Sequence, residues 1–120
     1  MPMRQLLRED LLEIHRQQVD QFGGQHGVRD WEVLDRVVRY SASEQTAAGQ
    51  AATLLTEIIG GHPFHSGNKR CGANAALVAL LMNGHAPLCS PEQLVILIHA
   101  LDMRELDRGG VEEFFLGYMD

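Results

Sequence analysis

Apolar side chains recur at three- and four-residue steps along most of the chain, the period of a helix with one face turned inward. Leu11, Leu12, His15, Val19 and Phe22 form such a stripe through a segment rich in Glu, Gln and Arg, and Gly23-Gly24 predicts its end. A glycine-bearing loop, Gly23 to Arg29, leads to Asp30, a good N-cap for a second helix with Trp31, Leu34, Val37 and Val38 on its inner face. The polar stretch Tyr40 to Gln45 is its predicted exit. Thr46 to Ile59 is helical again, with Ala47, Leu54, Leu55, Ile58 and Ile59 apolar, and Gly60-Gly61 closes it. After a short loop, His62 to Gly67, the segment Asn68 to Asn83 is apolar on almost every side, which predicts the central, buried helix. Asn83-Gly84 ends it. Ser90-Pro91-Glu92-Gln93 sets an N-cap serine, a first-turn proline and a capping-box glutamine before a fifth helix that runs to about Leu101. Val111 to Met119 places Phe114, Phe115 and Tyr118 at helical spacing, as core residues. With no strand signal, internal repeat or linker, the expected class is all-α: a compact single-domain bundle of about six helices over residues 1–120.

Composition narrows what such a bundle does. Lys plus Arg is 10 and Asp plus Glu is 16, a formal charge of 10 − 16 = −6 with no block of like charge. Direct nucleic-acid binding and attachment to an anionic membrane both need concentrated Lys and Arg, so neither is expected. The longest unbroken apolar run, Ala75 to Met82, is eight residues, where a membrane-spanning helix needs about 20. Met1 to Leu6 is followed by acidic Glu9 and Asp10 rather than a long apolar stretch, which does not look like a signal peptide and points to a cytoplasmic protein. Cys71 and Cys89 are too few for a disulfide framework and form no Cys-x-x-Cys pair, so they read as small, half-buried apolar side chains.

The densest polar cluster is His62-Pro63-Phe64-His65-Ser66-Gly67-Asn68-Lys69-Arg70, in the loop that feeds the most apolar helix. A helix N-terminus offers unpaired N–H groups and partial positive charge, and Gly67 lets that backbone approach a ligand closely, so the loop suits a phosphate. Lys69 and Arg70 add cations, and His62, one loop away, is placed to take a proton from a hydroxyl. A metal pair of His62 and His65 is disfavoured, because Pro63 keeps the segment out of the helical geometry that puts two ligands on one face and no third ligand follows at a typical spacing.

His-Pro-Phe-x-x-Gly-Asn-Lys-Arg followed by an apolar helix resembles the signature of the Fic/Doc superfamily. Ile14-His15, the stretch Phe22-Gly23-Gly24-Gln25-His26-Gly27-Val28-Arg29-Asp30, and the Ala-Leu-rich helix ending in Asn83-Gly84 resemble its death-on-curing (Doc) branch. The resemblance covers nearly all of the chain and implies an α-helical fold. It also implies a toxin of a toxin-antitoxin system, a protein kinase that phosphorylates a threonine of elongation factor Tu, a protein of the translation machinery. ATP or another nucleoside triphosphate would be the phosphoryl donor, with Mg2+. Fic proteins proper, similar to nucleotidyl (AMP) transferases, carry Gly after the Asn and a second Arg three residues beyond the first. This chain has Lys69 and Ala73 there, and like Doc it has Asn74 one turn into the helix.

Carried over by this resemblance, His62 is the general base, Gly67, Asn68, Lys69, Arg70 and Asn74 hold phosphates, and Phe64 packs inward to fix the loop. Tyr40 to Gln50 corresponds to the family's flap, which lines up the target as an added strand. The implied partner besides the target is a small antitoxin, Phd-like or other, whose helix docks in an apolar groove. One position departs from the pattern. Ser66 stands where the family carries the Asp or Glu that binds the metal, and a neutral hydroxyl is a weak replacement. Three activities therefore remain: a Doc-type kinase, a degenerate binding module that has lost turnover through Ser66, and a Fic-type nucleotidyltransferase.

Overall fold

Six helices form where the caps and stripes place them. The computed structural model describes residues 3–120; Met1 and Pro2, part of the N-terminal stretch read above against a signal peptide, lie outside them. Helix α1 (Arg8–Phe22) opens with the Asp10 carboxylate accepting the Leu7 N–H at 2.7 Å and closes at Gly23, whose φ is +85°. Helix α2 (Trp31–Ala42) is capped by Asp30, which accepts from the N–H groups of Glu32 and Val33. Helix α3 (Ala47–Gly61) starts from a Thr46 cap on Gly49. Helix α4 (Asn68–Met82) follows the signature loop. Helix α5 (Pro91–Asp102) carries the expected reciprocal Ser90–Gln93 capping box, and helix α6 (Arg108–Gly117) is capped by Asp107. Among the described residues there is no strand, only two isolated antiparallel bridges, Val28 with Phe64 and Pro87 with Met119.

The helix ends differ from the expectation in three places, each for a local reason. Helix α2 continues through Tyr40 and Ser41 to Ala42, because the Ser41 hydroxyl satisfies itself on the Val38 carbonyl instead of competing with the helix. Gly60 and Gly61 lie inside α3, and His62 takes the left-handed capping position. A Cβ on Gly61 would sit 2.6 Å from Val33 Cγ1, so that glycine serves close packing against α2. Helix α6 starts before Val111, since Asp107 outweighs the low propensity of Gly109 and Gly110.

Two apolar clusters lie on either side of the α3–α4 pair. One joins Ala48, Ala52 and Leu55 of α3 to Ala76 and Leu80 of α4, Leu97 of α5, and Val111 and Phe115 of α6. The other joins Leu11 of α1, Leu34 and Val37 of α2, and Leu54 and Ile58 of α3 to Phe64, Cys71, Ala75 and Ala79. Eleven residues of α3 are buried against eight of α4, and Leu81 of α4 is 57% exposed. The central helix is thus α3, a correction to the expectation for α4: small residues let α3 be surrounded, while α4 leaves its N-terminus and one flank at the surface. Phe115 is fully buried, Phe114 and Tyr118 partly so. Burial pushes the Cys71 thiol up to about 12, and Cys89 is shifted upward for the same reason. The radius of gyration is 13.0 Å, close to the ~14 Å of a compact chain of this length.

Candidate active site

The signature loop bends out of α3 and back into α4, and a second loop holds it. His62, at φ 51° and ψ 60°, donates its N–H to the Ile58 carbonyl at 3.1 Å, which ends α3. The α1–α2 loop then runs antiparallel beside it. Arg29 and Asp30 donate their N–H groups to the Pro63 carbonyl at 2.7 and 3.1 Å, and His65 donates to the Gly27 carbonyl at 3.3 Å. His62 and His65 stay exposed, while Pro63 and Phe64 are buried.

Phe64 is the inward anchor the resemblance implies, 1% exposed and stacked on the His15 ring at 3.9 Å between centroids. Asn68 is placed differently from its implied role. Its Oδ1 accepts from the Phe64 N–H at 3.1 Å and its Nδ2 donates to the Phe64 carbonyl at 3.0 Å, both inside the buried turn. Its side chain is a clamp on the loop, so what residue 68 offers an anion is its backbone N–H. Gly67, at φ +74°, is the N-cap of α4 and no side chain caps that end. The first-turn N–H groups are therefore open to a ligand, with the positive end of the helix dipole behind them.

Lys69 and Arg70 project from this turn, both exposed. The Lys69 ammonium lies 3.0 Å from the Asp102 carboxylate, and the Arg70 guanidinium sits 4.5 Å over the Phe22 ring. Asn74, one turn on, donates Nδ2 to the Arg70 carbonyl at 2.9 Å. Lys69, Arg70 and Asn74 share a groove of about 580 Å³ with Phe22, Leu94 and Val95, among others. Gly67, Asn68 and His62 are not in that lining, so the structure brings three of the phosphate candidates together along α4 and sets the base candidate at the α3 end of the signature loop. Lys69 lowers the Asp102 carboxyl pKa, with a smaller contribution from the neighbouring imidazoles, His62 included.

At the position that the resemblance assigns to metal binding, Ser66 is engaged within the loops. Its hydroxyl accepts the Gln25 N–H at 2.7 Å and donates to the Gln25 carbonyl at 3.2 Å. Among the described residues no three His, Cys, Asp or Glu side chains gather where they could hold an ion. Residue 66 and its surroundings therefore do not fit a carboxylate-held magnesium ion, and the serine is a latch between the two loops. The flap assignment is also corrected. Tyr40 to Gln50 forms the end of α2, a short turn and the start of α3, and that turn lies a whole helix of 15 residues, about 22 Å, from His62. The segment beside the signature is instead Gly23 to Asp30.

A family model described as Fic/DOC family matches residues 5–80, which spans α1 to α3, both loops and all but the last two residues of α4. This chain belongs to the Fic/DOC family. Protein kinase doc of Escherichia phage P1 is 33% identical to it over 96 residues, covering 75% of this chain and 76% of that protein.

Two residues that support the Fic/DOC loop escaped the sequence reading. His15 is 3% exposed, and its Nε2 lies 2.8 Å from the Ser66 carbonyl, so the neutral ring donates to the loop from α1. Burial lowers its pKa, against the raising effect of that hydrogen bond. Arg29 donates Nε to the His62 carbonyl at 2.6 Å and Nη2 to the Gly61 carbonyl at 2.7 Å. Both lie in stretches that carry the resemblance to the Doc branch, and His15 also on an apolar stripe, but nothing in the sequence assigns either of them to the signature loop.

Proposed function

We propose that this Fic/DOC protein is a Doc-type kinase: it transfers the terminal phosphoryl group of ATP or another nucleoside triphosphate to a Ser or Thr hydroxyl of a translation protein, elongation factor Tu by resemblance. Residues 1–120 act as one domain, in the cytoplasm, as the toxin of a toxin-antitoxin pair. The observation that carries this reading is the exposed His62, one short loop before an uncapped helix N-terminus bearing Lys69 and Arg70, in a chain 33% identical to a protein kinase. The target hydroxyl gives its proton to His62 as its oxygen bonds to the terminal phosphorus. The bond from that phosphorus to the bridging oxygen breaks, and the nucleoside diphosphate leaves. The α4 N–H groups, Lys69 and Arg70 hold the charge that builds on the phosphoryl oxygens, with Asn74 beside them. Phosphoryl transfer needs mostly positioning and charge stabilisation, which this loop offers. The groove of Phe22, Leu94, Val95 and Ile98 suits an apolar helix of a small antitoxin, which would cover Lys69 and Arg70 as it docked.

Ser66 favours a second reading, a binding module that keeps the fold and the anion loop without turnover. Incubating elongation factor Tu with ATP labelled at the α- or the γ-phosphate separates the activities. Label transferred only from the γ-position supports the kinase, label from the α-position the nucleotidyltransferase. No transfer from either, with nucleotide still bound, supports the binding module.

A further inference from the structure

Arg29 lies outside the signature, yet three successive carbonyls of the turn that delivers His62 end on it. Its guanidinium takes the Gly61 and His62 carbonyls at 2.7 and 2.6 Å, and its backbone N–H takes the Pro63 carbonyl at 2.7 Å. The first two are carbonyls that a helix C-terminus leaves without intrahelical partners, at the negative end of the dipole, where a fixed cation is favoured. The fork of Nε and Nη2 matches two adjacent acceptors, which a lysine ammonium on a flexible stem does not.

The residue so held is conformationally strained. His62 carries a Cβ in the left-handed region, a state that persists only where the surroundings over-determine it. Among the described residues the His62 ring makes no hydrogen bond of its own, so its aim is set by its backbone. We propose that Arg29 is a positioning residue for His62, pinning the strained turn so that the imidazole is presented at the mouth of α4. The inference rests on the reading of His62 as the base.

Arg29→Ala and Arg29→Lys, each confirmed as helical by circular dichroism, are compared with wild type and His62→Ala for phosphoryl transfer and for amide hydrogen exchange at residues 61 and 62. The expected result for Arg29→Ala is a fall in kcat of roughly 10- to 100-fold at unchanged KM for ATP, since a misplacement near 1 Å costs about that much. Exchange at Gly61 and His62 accelerates, and Arg29→Lys falls between the two. Wild-type kcat in Arg29→Ala while His62→Ala is inactive overturns the Arg29 proposal alone, as does a rise in KM without a fall in kcat. Full activity in His62→Ala overturns the base reading and the Arg29 proposal with it. No labelling by the wild type overturns the base reading and the Arg29 proposal with it, and unchanged protection at residues 61 and 62 in Arg29→Ala overturns the Arg29 proposal alone.

Discussion

Ser66 shows how one position can exchange a chemical role for a mechanical one. Its hydroxyl is tied to Gln25 while its backbone carbonyl takes the His15 N–H, so a carboxylate at 66 that reached for an ion would give up the Gln25 contacts and keep the one to His15. His15 makes the latch pH-sensitive. Burial lowers its pKa, so the fold favours the neutral ring, while the unfolded chain protonates near the ordinary value of 6.5. The stabilisation is therefore fully present above pH 6.5 and is lost as the pH falls toward the lower folded-state value. Urea unfolding of the wild type should show this loss as the pH falls below 6.5, and His15→Phe, which retains an aromatic ring against Phe64, should flatten it. At the exposed His62, substitution by Ala should leave the urea midpoint nearly unchanged and lower phosphoryl transfer by about 10²- to 10⁴-fold.

Elements were legible where a cap or a stripe declared them and less so where tertiary contacts decided. Asp30 and the Ser90–Gln93 box start α2 and α5 as their residues foretell, because capping is local chemistry. The glycine pairs misled. Gly60-Gly61 belongs to α3, where Gly61 makes room for Val33 and His62 takes the cap, and Gly109-Gly110 belongs to α6 because Asp107 caps it. The signature loop was visible as a cluster, but its clamps were not. Asn68 turns inward, and His15, Gln25 and Arg29 reach residues more than thirty positions away, a distance that no local pattern encodes. Gly24, at φ +117°, would place a Cβ 2.5 Å from the Ser66 hydroxyl. Gly24→Ala should cost roughly 1–3 kcal/mol through backbone strain and loss of the latch, read as a lower denaturant midpoint.

The whole molecule sets a small positive mouth on a chain of net charge −6. Lys69 and Arg70 open onto a groove whose other wall is α5, a helix with Val95 and Ile96 exposed by 65% and 68%. That combination suits a partner segment that is apolar along the groove and acidic at its mouth. On this reading Val95→Asp should weaken capture of the antitoxin helix at least tenfold by calorimetry. The described helices include none long and apolar enough to cross a membrane.

In the proposed kinase, His62 and the mouth of α4 together perform phosphoryl transfer although residue 66 is a serine. Intact-mass measurement of elongation factor Tu after incubation with this protein, ATP and magnesium, with His62→Ala and Ser66→Asp in parallel, tests it most directly. The expected result is a gain of one phosphoryl group with the wild type and none with His62→Ala. No gain with the wild type alongside a full gain with Ser66→Asp would contradict it, and would make this chain a Fic/DOC fold that has lost its chemistry at one residue.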